Sequence, residues 1–340
     1  MSKISKKKNV FFVVTGLQVI NAVECIYGMN KENDYNILVV CNKENTARTE
    51  VNSALNLHKW DKIIYLPPTF ILNIRITFLK FILNFIFSWI KINTINFKNA
   101  DLIGNDITIY YRYATKKKGI GQTIFIDDGN GTVNYKEENP YKDFKNIKNK
   151  TLFKLLGISK HIIATDVFFT AYPSFISKKE NQKVIKNDFS HIKLLKANKG
   201  KSDLVYFIGD PHVERGYLSR EKYLKILLNV KNIFGENLIY IPRIFEDEDK
   251  LAEISRHIKV QRNYMPFELF VASSDKLPKA LVAYHSTALF NTNKMFGNSI
   301  EYNYIRLPDF TNEIHMNNVK SFWENLDKFS TEIQIDLTKT

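Results

Sequence analysis

Short apolar runs that stop at turn-forming residues, each followed by a stretch of helical period, recur along this chain. Nothing else constrains its fold as strongly. "VFFVVTG" (10–16) ends in a glycine turn, and "LQVINAVECIYGM" (17–29) follows with its apolar residues at helical spacing. "YNILVVCNK" (35–43), "ENTARTEVNSALNLH" (44–58) and "KIIYLPP" (62–68) repeat the pattern as strand, helix and strand. Further strands are expected near 101–103, 107–111 and 123–126. Such alternation predicts an α/β fold with a parallel sheet covered on both faces.

A second alternating set begins near residue 203. "DLVYFIG" (203–209), "NLIYIPR" (237–243) and "KALVAYHS" (279–286) read as strands, with helices at 219–235, 246–257 and 287–297. Between the sets, 136–200 is rich in Lys and Asn and weakly periodic, and "KLLKANKGKSD" (193–203) reads as a linker. The expected organisation is two Rossmann-like domains facing each other across a ligand cleft. Residues 1–195 and 196–310 form the two, and a C-terminal helix within 311–340 packs back on the first. Acceptor contacts are expected in 136–200.

Composition narrows the function classes. The 340 residues are 44% hydrophobic and 25% charged, as in soluble globular proteins. Net charge is +14, which favours anionic partners. No helix-turn-helix, zinc-finger or RNA-binding signature accompanies that charge, so a nucleic-acid partner is not expected. Cys25 and Cys41 sit in apolar surroundings as free thiols, and no Cys/His spacing suits a metal. The apolar run Val10 to Val14 is too short for a signal peptide. A cytoplasmic location is expected. A homodimer is among the arrangements the sequence allows.

Segment 69–92, "TFILNIRITFLKFILNFIFSWIKI", raises the membrane question. Its longest uncharged run, Phe81 to Ile90, is about half the roughly 20 residues a span requires. With Arg75 as an outlier, its polar residues Asn73, Thr77, Lys80, Asn84, Ser88 and Lys91 form one stripe on a helix. Two readings stay open: a helix buried with one wet edge, or an apolar face lying peripherally on a membrane.

Candidate site residues cluster at strand ends, where parallel sheets bind ligands. In "IDDGNGT", Asp127 and Asp128 end an apolar run, and each raises the cost of ionising the other. They form a capping turn, a metal site or a catalytic base. Ser286 and Thr287, after His285, open a helix whose free amides suit phosphate, although ordinary N-capping explains them equally. Arg243, after Pro242, is either an anion clamp or a surface partner of Glu246 or Asp247. Gly209, Asp210 and His212 end the strand at 203–209, and Glu268 opens a helix after Pro266.

These segments together resemble the lipooligosaccharide-type bacterial sialyltransferases, glycosyltransferase family 52, and more distantly the bacterial polysialyltransferases. "TGLQVINAVECI" looks like that family's opening strand-turn-helix, which brings Gly16 and Gln18 in as donor-site residues. "IDDGNGT" looks like its acidic-acidic-Gly motif. "FIGDPHVERGYLSREKYLKIL" and "MPFELFVASSDKLPKALVAYHSTALFN" look like its donor-binding blocks. The resemblance implies a GT-B fold and inverting transfer of sialic acid, or a related nonulosonic acid, from a CMP-activated donor to a glycan acceptor. It implies no metal or other cofactor. An aspartate of the doublet would be the general base, Ser286 and Thr287 would hold the CMP phosphate, and Glu268 the cytidine. Where the family carries a histidine that assists phosphate departure, this chain has Arg243. Arginine neutralises a phosphate but donates no proton at neutral pH. That leaves Arg243 acting electrostatically, His212 or His285 acting instead, or a non-catalytic CMP- or glycan-binding protein.

Overall fold

The computed structural model describes residues 6–41, 45–67, 77–105, 108–129, 132, 150, 153–195, 200–284, 286–306, 320 and 322–335; for 45–47 and 77–82 it describes the backbone alone. His285, the first part of segment 69–92, all of 136–149, part of the linker at 196–199 and residues 311–319 lie outside them. The chain divides into two compact units, Met1–His191 and Ile192–Thr340.

The first unit contains β1 (Lys8–Val13), α1 (Gly16–Gly28), β2 (Tyr35–Val40), α2 (Asn45–Ala54), β3 (Lys62–Tyr65), α3 (Thr77–Asn93), β4 (Asp101–Gly104), α4 (Ile109–Thr115), β5 (Thr123–Ile126), β6 (Val167–Thr170) and β7 (Lys183–Lys186). A short helix α5 (Ser190–Leu194) spans the boundary of the units. The strands form one sheet in the order β3-β2-β1-β4-β5-β6-β7, every pairing parallel. From β1 the chain works outward through β2 and β3, then returns to lay β4 against β1's other edge. That reversal opens a crevice at the carboxyl ends of the central strands. Val10, Phe12, Val39 and Leu102 project into one core layer, which helix residues Ile92, Tyr111 and Ala114 complete.

One expected strand is a helix. Thr108 caps α4, its hydroxyl accepting from the Tyr111 amide at 3.2 Å. The aromatic and β-branched content that reads as strand is spent on packing Tyr110 and Tyr111 into the core. Two strands, β6 and β7, lie where the sequence shows weak periodicity.

The second unit contains β8 (Gly200–Lys201), β9 (Val205–Ile208), α6 (Arg220–Phe234), β10 (Leu238–Ile241), α7 (Glu248–Ser255), β11 (Lys259–Val260), α8 (Phe267–Ser273), β12 (Lys276–Leu277), β13 (Ala280–Ala283), α9 (Thr287–Phe296), β14 (Glu301–Tyr304) and β15 (Thr331–Glu332). Its main sheet runs β11-β10-β9-β13-β14-β15, again all parallel, and β8 pairs with β12. The order reverses between β9 and β13. Each unit is thus a doubly wound α/β layer structure.

Of the C-terminal segment, the described part meets elements of the second unit: Phe322 meets Phe290 of α9 edge-on at 4.8 Å, and β15 extends the second sheet beside β14. Phe290, Phe322 and Trp323 are buried there.

α3 is amphipathic in the inverse sense. Ser88 and Ile92 are buried and Asn84 and Phe85 half-buried, so the Asn84–Ser88 part of the polar stripe turns toward the protein while Lys91 stays exposed. Leu83, Ile86, Phe87, Trp89 and Ile90 are each 44–57% exposed. Among the described residues no helix is long and apolar enough to cross a membrane. Phe78 and Phe81, which would have helped to decide between the two readings of the helix, have side chains outside the description.

Candidate functional site

In the first unit, chemistry gathers where β5 ends beside the start of α1. Buried Thr123–Ile126 cannot turn without help, and Gly129 supplies it at φ 59°, the left-handed region that disfavours a side chain. The two aspartates then part company. Asp127 is buried; its Oδ1 accepts from the Thr170 hydroxyl and its Oδ2 from the Ala171 amide, both at 2.6 Å. Asn21 of α1 donates to its carbonyl at 3.0 Å. Asp127 therefore ties the end of β5 to the end of β6 and to α1. The Asp128 backbone amide donates to Thr132 Oγ1 at 2.9 Å.

Asp128 is half-buried, and its Oδ1 accepts from Gln18 Nε2 at 2.5 Å. Gln18 is held in turn: its Oε1 accepts from the Val14 amide at 2.5 Å, and its own amide donates to Thr15, the cap of α1. A carboxylate is thus aimed by one amide side chain at the carboxyl end of a central strand. Gly16 and Gln18 belong to this cluster in the first unit.

In the second unit, three strand ends carry the named residues. Arg243 follows β10 and Ser286 caps α9 after β13. The guanidinium Nη2 donates to Ser286 Oγ at 2.7 Å, and the same oxygen accepts from the Ala288 amide at 3.3 Å. Arg243 is exposed, so a cation stands at the positive end of a ten-residue helix, open to solvent. Two like-signed ends held together favour an anion between them. Thr287 is the buried first residue of that helix. Glu268 of α8 is buried nearby and accepts from Asn291 of α9 at 2.7 Å.

Arg243 does not pair through its side chain with Glu246. Glu246 is buried and accepts the Arg243 backbone amide at 2.6 Å. It also takes Lys250 at 2.7 Å and the Tyr240 hydroxyl. Tyr240 bonds Tyr223 at 2.8 Å, and Tyr223 accepts the Asp210 amide at 3.3 Å. Lys250 reaches Glu214 at 3.0 Å, and Glu214 accepts the Asp247 amide. This buried chain binds the loops after β9 and β10 into one body. Burial pushes the Glu246 carboxyl up although Lys250 opposes it, and burial drives the Tyr223 and Tyr240 hydroxyls well above their usual range.

The network explains Gly209: a Cβ there would lie 2.6 Å from the Tyr240 hydroxyl and collide with Glu246. The close approach that needs glycine comes from the protein's own side chains. His212 is 0% exposed, not a solvated loop residue; its ring meets Tyr284 edge-on at 4.7 Å and lies 3.5 Å from an Asp210 oxygen. So placed, it supports the loop, and its ring does not reach the surface. Pro242 is half-buried before Arg243.

Sequence reasoning missed Glu214, Tyr223, Tyr240 and Lys250, which lie inside stretches of ordinary helix and strand pattern. It also missed Thr170, whose signal, the apolar run "VFFT", is only four residues long. Among the described residues no group of three or more His, Cys, Asp or Glu could hold a metal ion.

No family model matches the chain, and no curated protein matches it either. Solved structures do. A UDP-N-acetylglucosamine 2-epimerase is 12% identical, with a TM-score of 0.50 over 94% of this chain and 87% of that one. The S. aureus protein MnaA, in a co-structure with UDP, is 12% identical with a TM-score of 0.52 over 95% and 88%. UGT2 of Phytolacca americana, complexed with UDP-2-fluoro-glucose and pterostilbene, is 12% identical with a TM-score of 0.52 over 99% and 87%. At these identities the likeness establishes the fold: α/β, GT-B-like, built of two Rossmann-like domains.

Proposed function

We propose that the chain is an inverting, metal-independent glycosyltransferase. It moves sialic acid or a related nonulosonic acid from a CMP-activated donor to a cell-surface glycan such as lipooligosaccharide or capsule. The observation that carries this is Arg243 and Ser286 joined at the N-terminus of α9, a mount for the donor phosphate. The motif resemblance supplies CMP, whereas the structures of like fold were captured with UDP or a UDP-sugar.

The roles are those the motif resemblance implies, laid on the groups present. The Ser286 hydroxyl, the first amides of α9 and the Arg243 guanidinium hold the phosphate; Glu268, fixed by Asn291, takes the cytidine. Asp128 accepts the proton of the acceptor hydroxyl as its oxygen bonds the anomeric carbon. The bond from that carbon to the phosphate oxygen breaks, and CMP leaves as a dianion neutralised by Arg243. Arginine there acts by charge, without proton transfer. The reaction is placed in the cytoplasm, at the inner membrane face where such acceptors are assembled.

Incubation with CMP-sialic acid, a panel of CMP-nonulosonates and UDP-N-acetylglucosamine, followed for nucleotide release, tests the reading. CMP should appear, and the Arg243→Ala/Ser286→Ala variant should bind CMP more weakly by about 1–3 kcal/mol. Release of UDP but not CMP, or CMP affinity unchanged in the double variant, refutes it.

A further inference from the structure

The outward face of α3 is apolar where a surface helix is ordinarily polar. Leu83, Ile86, Phe87 and Ile90 recur at helical spacing along it, and Trp89 flanks them. The inward face takes the less apolar residues: Ser88 lies against Tyr110. Ile92 and Phe85 serve the core on the inward side, yet the larger run of apolar side chains faces out.

Among the described residues, two lysines edge this face. Lys91, exposed, donates to the Tyr65 carbonyl at 2.9 Å. Lys117 donates to Asn93 at 3.0 Å and to the Tyr113 hydroxyl at 2.8 Å, at the end of α3 nearest Trp89. From 62 to 100 the sequence contains no Asp or Glu, and 150–165 contains none either. That second stretch packs Phe153, Leu156 and Ile158 against Phe85 of α3, while its Leu155 stands 68% exposed.

We propose that the exposed face of α3, edged by Lys91 and Lys117, docks on an anionic phospholipid surface. The apolar side chains enter the headgroup boundary, and the two ammonium groups meet the lipid phosphates. A second copy of this chain is a poorer occupant, because self-pairing would bring the Lys91 and Lys117 edges of two copies together. Charge alone would not require the apolar stripe, and the stripe alone would not require the lysine edge; a bilayer surface uses both. The inference rests on α3 and its neighbours and is independent of the donor reading.

The test uses the full chain with vesicles of phosphatidylcholine, alone or mixed with phosphatidylglycerol. The protein should sediment with the phosphatidylglycerol vesicles at least tenfold more strongly, and less so as salt rises. Trp89 should carry a blue shift of emission that Trp89→Phe abolishes. Phe87→Ser/Ile90→Ser and Lys91→Glu/Lys117→Glu should each lower vesicle binding at least tenfold with unchanged far-UV circular dichroism. Three results would overturn the proposal: no preference for phosphatidylglycerol, full binding by Phe87→Ser/Ile90→Ser, or a wild-type dimer in solution that this variant converts to monomer.

Discussion

Asp127 and Asp128 are chemically identical and adjacent, yet their surroundings divide the work. Asp127 spends both oxygens on donors, one of them a backbone amide. Asparagine has one acceptor oxygen and would turn an NH₂ toward a donor. Asp127→Asn should therefore lower stability by about 1.5–3 kcal/mol, the scale for hydrogen bonds to a charged group. Denaturant unfolding reads this as a lower midpoint. Asp128→Asn keeps the side chain's shape and one acceptor oxygen for Gln18, so the fold should stay intact. Its kcat should fall about 10²–10⁴-fold with CMP affinity preserved; full turnover in Asp128→Asn would remove it as the base. The doublet itself was legible in the sequence, since two carboxylates ending an apolar run stand out. Which one faces a substrate was not: it depends on Thr170 and Ala171, more than forty residues downstream.

At the scale of elements, the amino ends of the central strands carry a second polar cluster, opposite the site. Lys31 Nζ lies 2.6 Å from Asp101 Oδ2 at the start of β4, and Asn9 of β1 accepts from the same ammonium. Burial would raise the Asp101 carboxyl, but hydrogen bonds from Lys31, Lys7 and the Gln122 amide outweigh it and hold the group below its ordinary value. A depressed folded value means stability that is complete above the unfolded pKa, about 3.9, and lost as pH falls through the folded one. Asp101→Asn strands a buried ammonium and should cost about 3–5 kcal/mol at neutral pH. Urea melts from pH 7 to 3 should show the gap from wild type closing only below about pH 4. Element type was readable wherever an apolar run was long. It failed at 107–111, where the Thr108 cap overrides strand-like residues, and at β6 and β7, four residues each, one of them the edge strand "KVIK". The inward turn of Ser88 was also hidden, because period shows that a stripe exists and not which side the protein takes.

At the scale of the molecule, the doubled alternation announced two Rossmann-like domains because the pattern depends only on local period. The destination of the C-terminal segment depends on the aromatic surface of α9, which no local window contains. If the second unit holds the nucleotide, CMP at a hundred times its Kd should add about 2.7 kcal/mol to the unit's stability and raise the melting temperature by several degrees. UDP should do so less, and Arg243→Ala/Ser286→Ala should lose the effect; equal shifts from CMP and UDP would show a site blind to the base. The all-parallel sheets carry one more consequence, and it concerns time. β1 leaves the ribosome ahead of β2 to β7 and ends in the interior of its sheet, yet its neighbour β4 is made only after β2, β3 and α3. Each ladder closes through a crossover, so the newborn strand waits with apolar residues on both faces and an open edge. Slow translation at low temperature lengthens that wait, and this chain's folding yield should hinge on what shelters β1 until β4 arrives.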